Sequence, residues 1–138
     1  MKNRLIIPAL LCIGLLVSSC SSGYDSKVCE KLSGKIVRNE SLTQDDYDQM
    51  LRQHESILKY LISRVEDIVD EDDQESREKL MQDMRNDDEY LKRFGYMFTF
   101  GSTLYQAEVN NVLDAKNQST YNALNRYAEE FARLSEEL

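Results

Sequence analysis

One imidazole, His54, and one thiol beyond the N-terminal twenty residues, Cys29, are the groups best suited to base, nucleophile or soft-ligand chemistry. Histidine catalysis needs a positioned acid or nucleophile beside the ring. A zinc site needs more imidazole or thiolate ligands than this chain carries. His54 also falls within an apolar helical repeat, where a neutral ring satisfied by a tyrosine or carboxylate is the ordinary outcome. Cys29 sits among helix-spaced apolar residues and reads as a small buried side chain. Asp70, Glu71, Asp72 and Asp73 could attract a cation, yet the run lacks the turn glycine and the twelfth-position glutamate of an EF-hand loop. No spacing singles out a carboxylate pair for glycoside hydrolysis. A glycine-rich phosphate loop and a Cys-x-x-Cys motif are both missing from the sequence. The reading is therefore of a protein that is not an enzyme, with no cofactor and no metal.

The sharpest chemistry is N-terminal. Lys2 and Arg4 give a positive start, Leu5 to Val17 form a mostly apolar run, and Val17-Ser18-Ser19-Cys20 follows. About 13 apolar residues fall short of the roughly 20 that span a bilayer as a helix, and Pro8 and Gly14 weaken helicity further. The pattern resembles a bacterial lipoprotein signal peptide ending in a lipobox. The resemblance implies cleavage before Cys20, acyl chains on Cys20, and anchorage of the mature chain to the lipid bilayer. Each buried CH2 contributes about 0.8 kcal/mol, so more than one chain holds a domain at a surface. Ser21, where an aspartate would favour inner-membrane retention, implies the outer membrane; the periplasmic and outward faces stay open. The organisation expected is signal peptide 1–19, lipidated cysteine and tether 20–26, and one helical domain 27–138.

The 138-residue chain has a net charge of -8, and loss of Lys2 and Arg4 makes the mature part more negative still. Such a surface repels phosphate backbones, so no nucleic-acid partner is expected. Cys12 leaves with the signal and Cys20 takes lipid, which leaves Cys29 without a partner for an internal disulfide. Asn39-Glu40-Ser41 and Asn117-Gln118-Ser119 match the glycosylation sequon. Beside a bacterial type of signal they read as chance matches in turns.

The elements that must position everything else are helical. Asp25 or Ser26 can cap a first helix over 27–38, with Val28, Cys29, Leu32 and Ile36 on its buried stripe. Thr43 with Gln44, Asp45 and Asp46 signals a capped start for a helix from Gln44 to about Val69. Tyr47, Leu51, His54, Leu58, Leu61, Val65 and Ile68 recur there at spacings of four and three, widened by Met50, Ile57 and Val69. That helix is roughly 39 Å long at 1.5 Å per residue, and its stripe must meet other helices. A third helix is expected from Gln74, with Leu80, Met81 and Met84 inward. Glu75 with Lys79, Asp88 with Lys92, Glu89 with Arg93 and Glu129 with Arg133 make acidic-first i,i+4 pairs. A fourth helix runs on to Leu113 with Leu91, Phe94, Phe98, Leu104, Tyr105, Val109 and Val112 inward. Gly101 on that face suits close approach of a neighbouring helix, with a ligand as the alternative. The last helix starts at a cap of Ser119 or Thr120 and buries Tyr121, Leu124, Ala128, Phe131, Leu134 and Leu138. The fold expected is all-α, a bundle of about five helices.

Six of the 12 aromatic residues fall between Tyr90 and Tyr105. Tyr96 and Phe100 point away from the expected inward face, so they form a candidate partner surface with Lys92 and Arg93 beside them. Burial against the first helix is the alternative for these rings. The function expected is a membrane-anchored protein-binding or envelope-assembly module, whose partner is an envelope protein or a second copy. By size and address the chain is similar to pilotins and to inhibitor or immunity-type lipoproteins; a small envelope hydrolase is the remaining alternative.

Overall fold

A computed structural model describes residues 23–138, so the signal peptide, the lipobox and Cys20 lie outside the described residues. Five helices follow in order: α1 Ser26–Val37, α2 Gln44–Val69, α3 Gln74–Arg85, α4 Asp88–Val109 and α5 Ala115–Ser135. The described residues contain no strand, and none of their helices is long and apolar enough to cross a membrane.

Each helix starts where a short polar side chain can satisfy the exposed backbone N–H groups of its first turn. Asp25, Asp73, Asp87 and Asp114 cap α1, α3, α4 and α5. Thr43 caps α2 in a reciprocal box: its hydroxyl accepts from the Asp46 N–H at 3.1 Å, and the Asp46 carboxylate accepts from the Thr43 N–H at 2.9 Å. Lys35 of α1 adds an ammonium 3.0 Å from the same carboxylate. These donors hold Asp46 below the usual carboxylate range although burial alone would raise it.

Two ends close on asparagine in the left-handed region, Asn39 at φ 54° and Asn111 at φ 56°. After α4 the Val112 N–H reaches the Ala107 carbonyl at 2.9 Å and the Asn111 N–H reaches Glu108 at 3.0 Å, a Schellman closure. The α1 end repeats it, with Glu40 on Lys35 and Asn39 on Ile36. So α4 stops at Val109, short of the expected Leu113. The last helix likewise begins at Ala115 and not at Ser119 or Thr120. Its first turn is held by tertiary contacts: buried Asn117 donates to the Gln44 carbonyl and side-chain oxygen, both at 3.0 Å. Gln44 in turn donates to the Val112 carbonyl at 2.8 Å and accepts from the Asp114 N–H at 3.0 Å.

The long α2 is the centre of the bundle. It packs against all four other helices, most extensively against α5 and α4. The expected stripe is buried from Tyr47 to Ile68, and Ile62 and Gln53 are buried as well because helices cover α2 on more than one side. Each fully buried Leu, Ile or Val there contributes about 1.5–3 kcal/mol. α4 and α5 both lie on α2 but meet each other only marginally. That leaves a trough between them.

Candidate binding groove between α4 and α5

α4 buries Leu104 and half-buries Phe94 as expected, but is otherwise turned from the expected orientation. Its buried side carries Tyr90, Phe100, Leu104 and Ala107. Leu91 is 49% exposed, Phe98 61%, Tyr105 55% and Val109 53%, so most of the predicted inward face is the open one. The cause is α1, which covers the other side. Tyr96 is half-buried and stacks on Phe100 at a centroid distance of 5.6 Å, and Phe100 is fully buried. Lys92 reaches Glu30 of α1 at 3.4 Å. The Arg93 guanidinium lies 4.0 Å from both the Tyr24 and Tyr60 ring centroids and pairs with Glu89 at 2.8 Å. Of the four candidate surface residues, Phe100 is buried and Tyr96 half-buried on the α1 side, Arg93 is held by Tyr24 and Tyr60, and exposed Lys92 pairs with Glu30, so the two rings take the alternative placement towards the first helix. Period alone finds a helix's stripes but does not say which stripe meets which neighbour.

The open side of α4 forms one wall of a groove of about 430 Å³. Phe94, Met97, Phe98 and Gly101 line that wall, Ala128, Phe131 and Ala132 line the α5 wall, and His54 and Leu58 of α2 form the floor. The Phe94 ring meets Phe98 edge-on at 5.0 Å and Phe131 at 6.3 Å across the groove. Ala128, expected inside, is exposed. Ser135, at one end, is already committed, its hydroxyl donating to the Phe131 carbonyl at 2.7 Å.

His54 is the one ionisable group in this lining, and it is 8% exposed. Its place on the buried stripe is as expected, but its Nδ1 is buried without a hydrogen-bond partner. Burial lowers the ring to about 4, so it is neutral near pH 7. Gly101 stands over it: a Cβ there would lie 3.5 Å from His54 Cε1 and 3.8 Å from Nε2, ordinary contact distances. Close helix packing therefore does not require the glycine. Its effect is to leave the aromatic row notched above the imidazole.

The groove's margin is acidic. Glu129 and Glu136 lie three residues before and four after Ala132, which places them on its side of α5. The expected Glu129–Arg133 pair is absent, because Arg133 turns to Glu130 at 2.8 Å and Glu137 at 2.9 Å. Asp88, one turn before Leu91, is likewise left without Lys92, which pairs with α1 instead. Among the described residues Asp88, Glu129 and Glu136 make no ion pair within 4.0 Å.

The remaining chemical candidates are taken up structurally. Cys29 is fully buried with Sγ 3.5 Å from Gln53 Oε1, and burial pushes its thiol up to about 12, far from a reactive thiolate. Asp73 of the acidic run spends its carboxylate on the Ser76 N–H at 2.9 Å. Among the described residues no three His, Cys, Asp or Glu side chains are placed to hold a metal ion. A second depression of about 510 Å³, bounded by Glu71, Asp72, Arg77 and Leu138, is crossed by the Arg77 bond to the Glu137 carbonyl at 2.7 Å. Comparison with known proteins finds no matching family model, no matching curated protein and no matching solved structure.

Proposed function

We propose that this chain is a lipid-anchored protein-binding module of the bacterial envelope, tethered to the outer membrane through Cys20 and docking its partner on the open face of α4. The observation that carries the reading is the exposed row Leu91, Phe98, Tyr105 and Val109 beside an apolar groove. Contiguous exposed apolar side chains beside a groove are the kind of surface that interaction sites use, which supports the reading. The tether suits that role. Gly23 and Asp25 are held by Gln53, through its amide to the Gly23 carbonyl at 3.3 Å and its Oε1 from the Asp25 N–H at 2.8 Å. Tyr24 lies on Arg93. The described chain therefore begins on the α1 side of α4, away from the groove.

Membrane fractionation and mass spectrometry of the wild type and Cys20→Ser test the anchoring part. Acylated Cys20 and loss of membrane recovery in the variant are expected. An unmodified Cys20, or equal recovery of both proteins in membranes, refutes it.

A further inference from the structure

The open face of α4 has a regular period that a compact ligand would not need. Leu91, Phe94, Phe98, Gly101 and Tyr105 succeed one another at intervals of three and four, the seam of a helix that packs along another helix. The seam carries side chains at every position except Gly101, where the notch opens onto His54. From Leu91 to Val109 the exposed row extends roughly 27 Å at 1.5 Å per residue. A small molecule filling the groove would leave both ends of that row in water. A helix lying on α4 and against Ala128 and Ala132 of α5 would cover it, and would stand where a further bundle helix could.

The margin selects the kind of helix. On the α5 side Glu129 and Glu136 are exposed and without ion pairs, and the whole chain carries -8. A second copy would bring the same carboxylates against them, a like-charge juxtaposition that suppresses association. Lysine or arginine beside an apolar stripe would be complementary. We propose that the groove receives an amphipathic helix of about 18 residues from another protein. Its apolar stripe lies along Leu91, Phe98 and Tyr105, one bulky side chain enters the notch at Gly101, and basic residues face Glu129 and Glu136. This deepens the binding-module reading and rests on it.

The test uses the full chain in neutral phosphatidylcholine nanodiscs, with empty discs as the blank. Two labelled 18-residue peptides share one Leu/Phe stripe; one carries lysine beside the stripe and the other glutamate. The lysine peptide is expected to bind roughly tenfold or more tightly than the glutamate peptide at low salt, with the gap narrowing as salt rises. Phe98→Asp and Gly101→Phe should each weaken the lysine peptide about tenfold or more, since the apolar anchors supply most of such binding. Both substitutions are on the open face, and an unchanged thermal melt confirms that the fold survives them. The double variant Glu129→Lys/Glu136→Lys should reverse the preference between the peptides. Equal affinities, indifference to Phe98→Asp, or a dimer abolished by Phe98→Asp would overturn the proposal. A partner photocrosslinked at position 98 in cells through an acidic or non-helical segment would sink the helix chemistry and leave the module reading standing.

Discussion

Leu58→Asp is expected to destabilise the bundle severely and to lower its melting temperature by well over ten degrees. Leu58 is 1% exposed on α2, beneath the place where α4 and α5 both rest. The substitution removes apolar contacts and puts a carboxylate where no cation is positioned to meet it. The combined cost is several kcal/mol, against a total stability of about 5–15 kcal/mol for a domain of ordinary stability. Phe98→Asp introduces the same charge only a short distance away, yet its exposed site should keep the change within about 0.5 kcal/mol. Circular dichroism melts of the two full-length variants separate the cases. An unchanged melting temperature for Leu58→Asp would contradict the central packing of α2.

Acid should weaken the fold before its carboxylates titrate, and His54 is the reason. Burial lowers the folded ring to about 4, whereas an unfolded histidine titrates near 6.5. Between those values the unfolded chain binds a proton that the folded chain refuses, so stability falls as pH falls through that window. The contribution is fully present above about pH 6.5 and lost once the pH reaches about 4. Its size is roughly 3 kcal/mol. Asp87, chiefly by its Arg64 bond, and Asp46 and Asp73, by hydrogen bonds, are held below their usual range, and their losses follow at lower pH. Urea unfolding at pH 7 and pH 4.5 should show a drop of about 2–3 kcal/mol for the wild type and little or none for His54→Gln. Equal drops for both proteins would remove His54 from the account.

The parts of this fold that were legible in the sequence are those set by local chemistry. Thr43 and Asp46 announce the start of α2, and the stripe from Tyr47 to Ile68 announces its burial. The parts that were not legible depend on partners far away in the chain. Asn117 reads as a turn residue, but its bonds to Gln44 carry helix through it. The end of α4 had a readable signal in the Asn110-Asn111 pair, since asparagine tolerates the left-handed closure seen at Asn111. The facing of α4 had no such signal. Both sides of that helix are aromatic, and only the docking of α1 against Tyr96 and Phe100 decides which side is covered. Lys92 and Asp88 stand in the right order for a pair, yet Glu30 of α1 takes the lysine. The groove follows from those distant choices, which the spacing of apolar residues along α4 does not encode.

In the proposed function the domain meets another protein through the open face of α4. A photoreactive amino acid placed at position 98, and in a parallel strain at position 96, tests it most directly in intact cells. Position 98 should crosslink to a distinct envelope protein at high yield, and Leu91→Asp or Gly101→Phe in the same chain should suppress the product. Position 96, packed on Phe100 and beside α1, should give no intermolecular product. Capture from position 96 with none from position 98, or products at 98 that neither substitution reduces, would contradict the account.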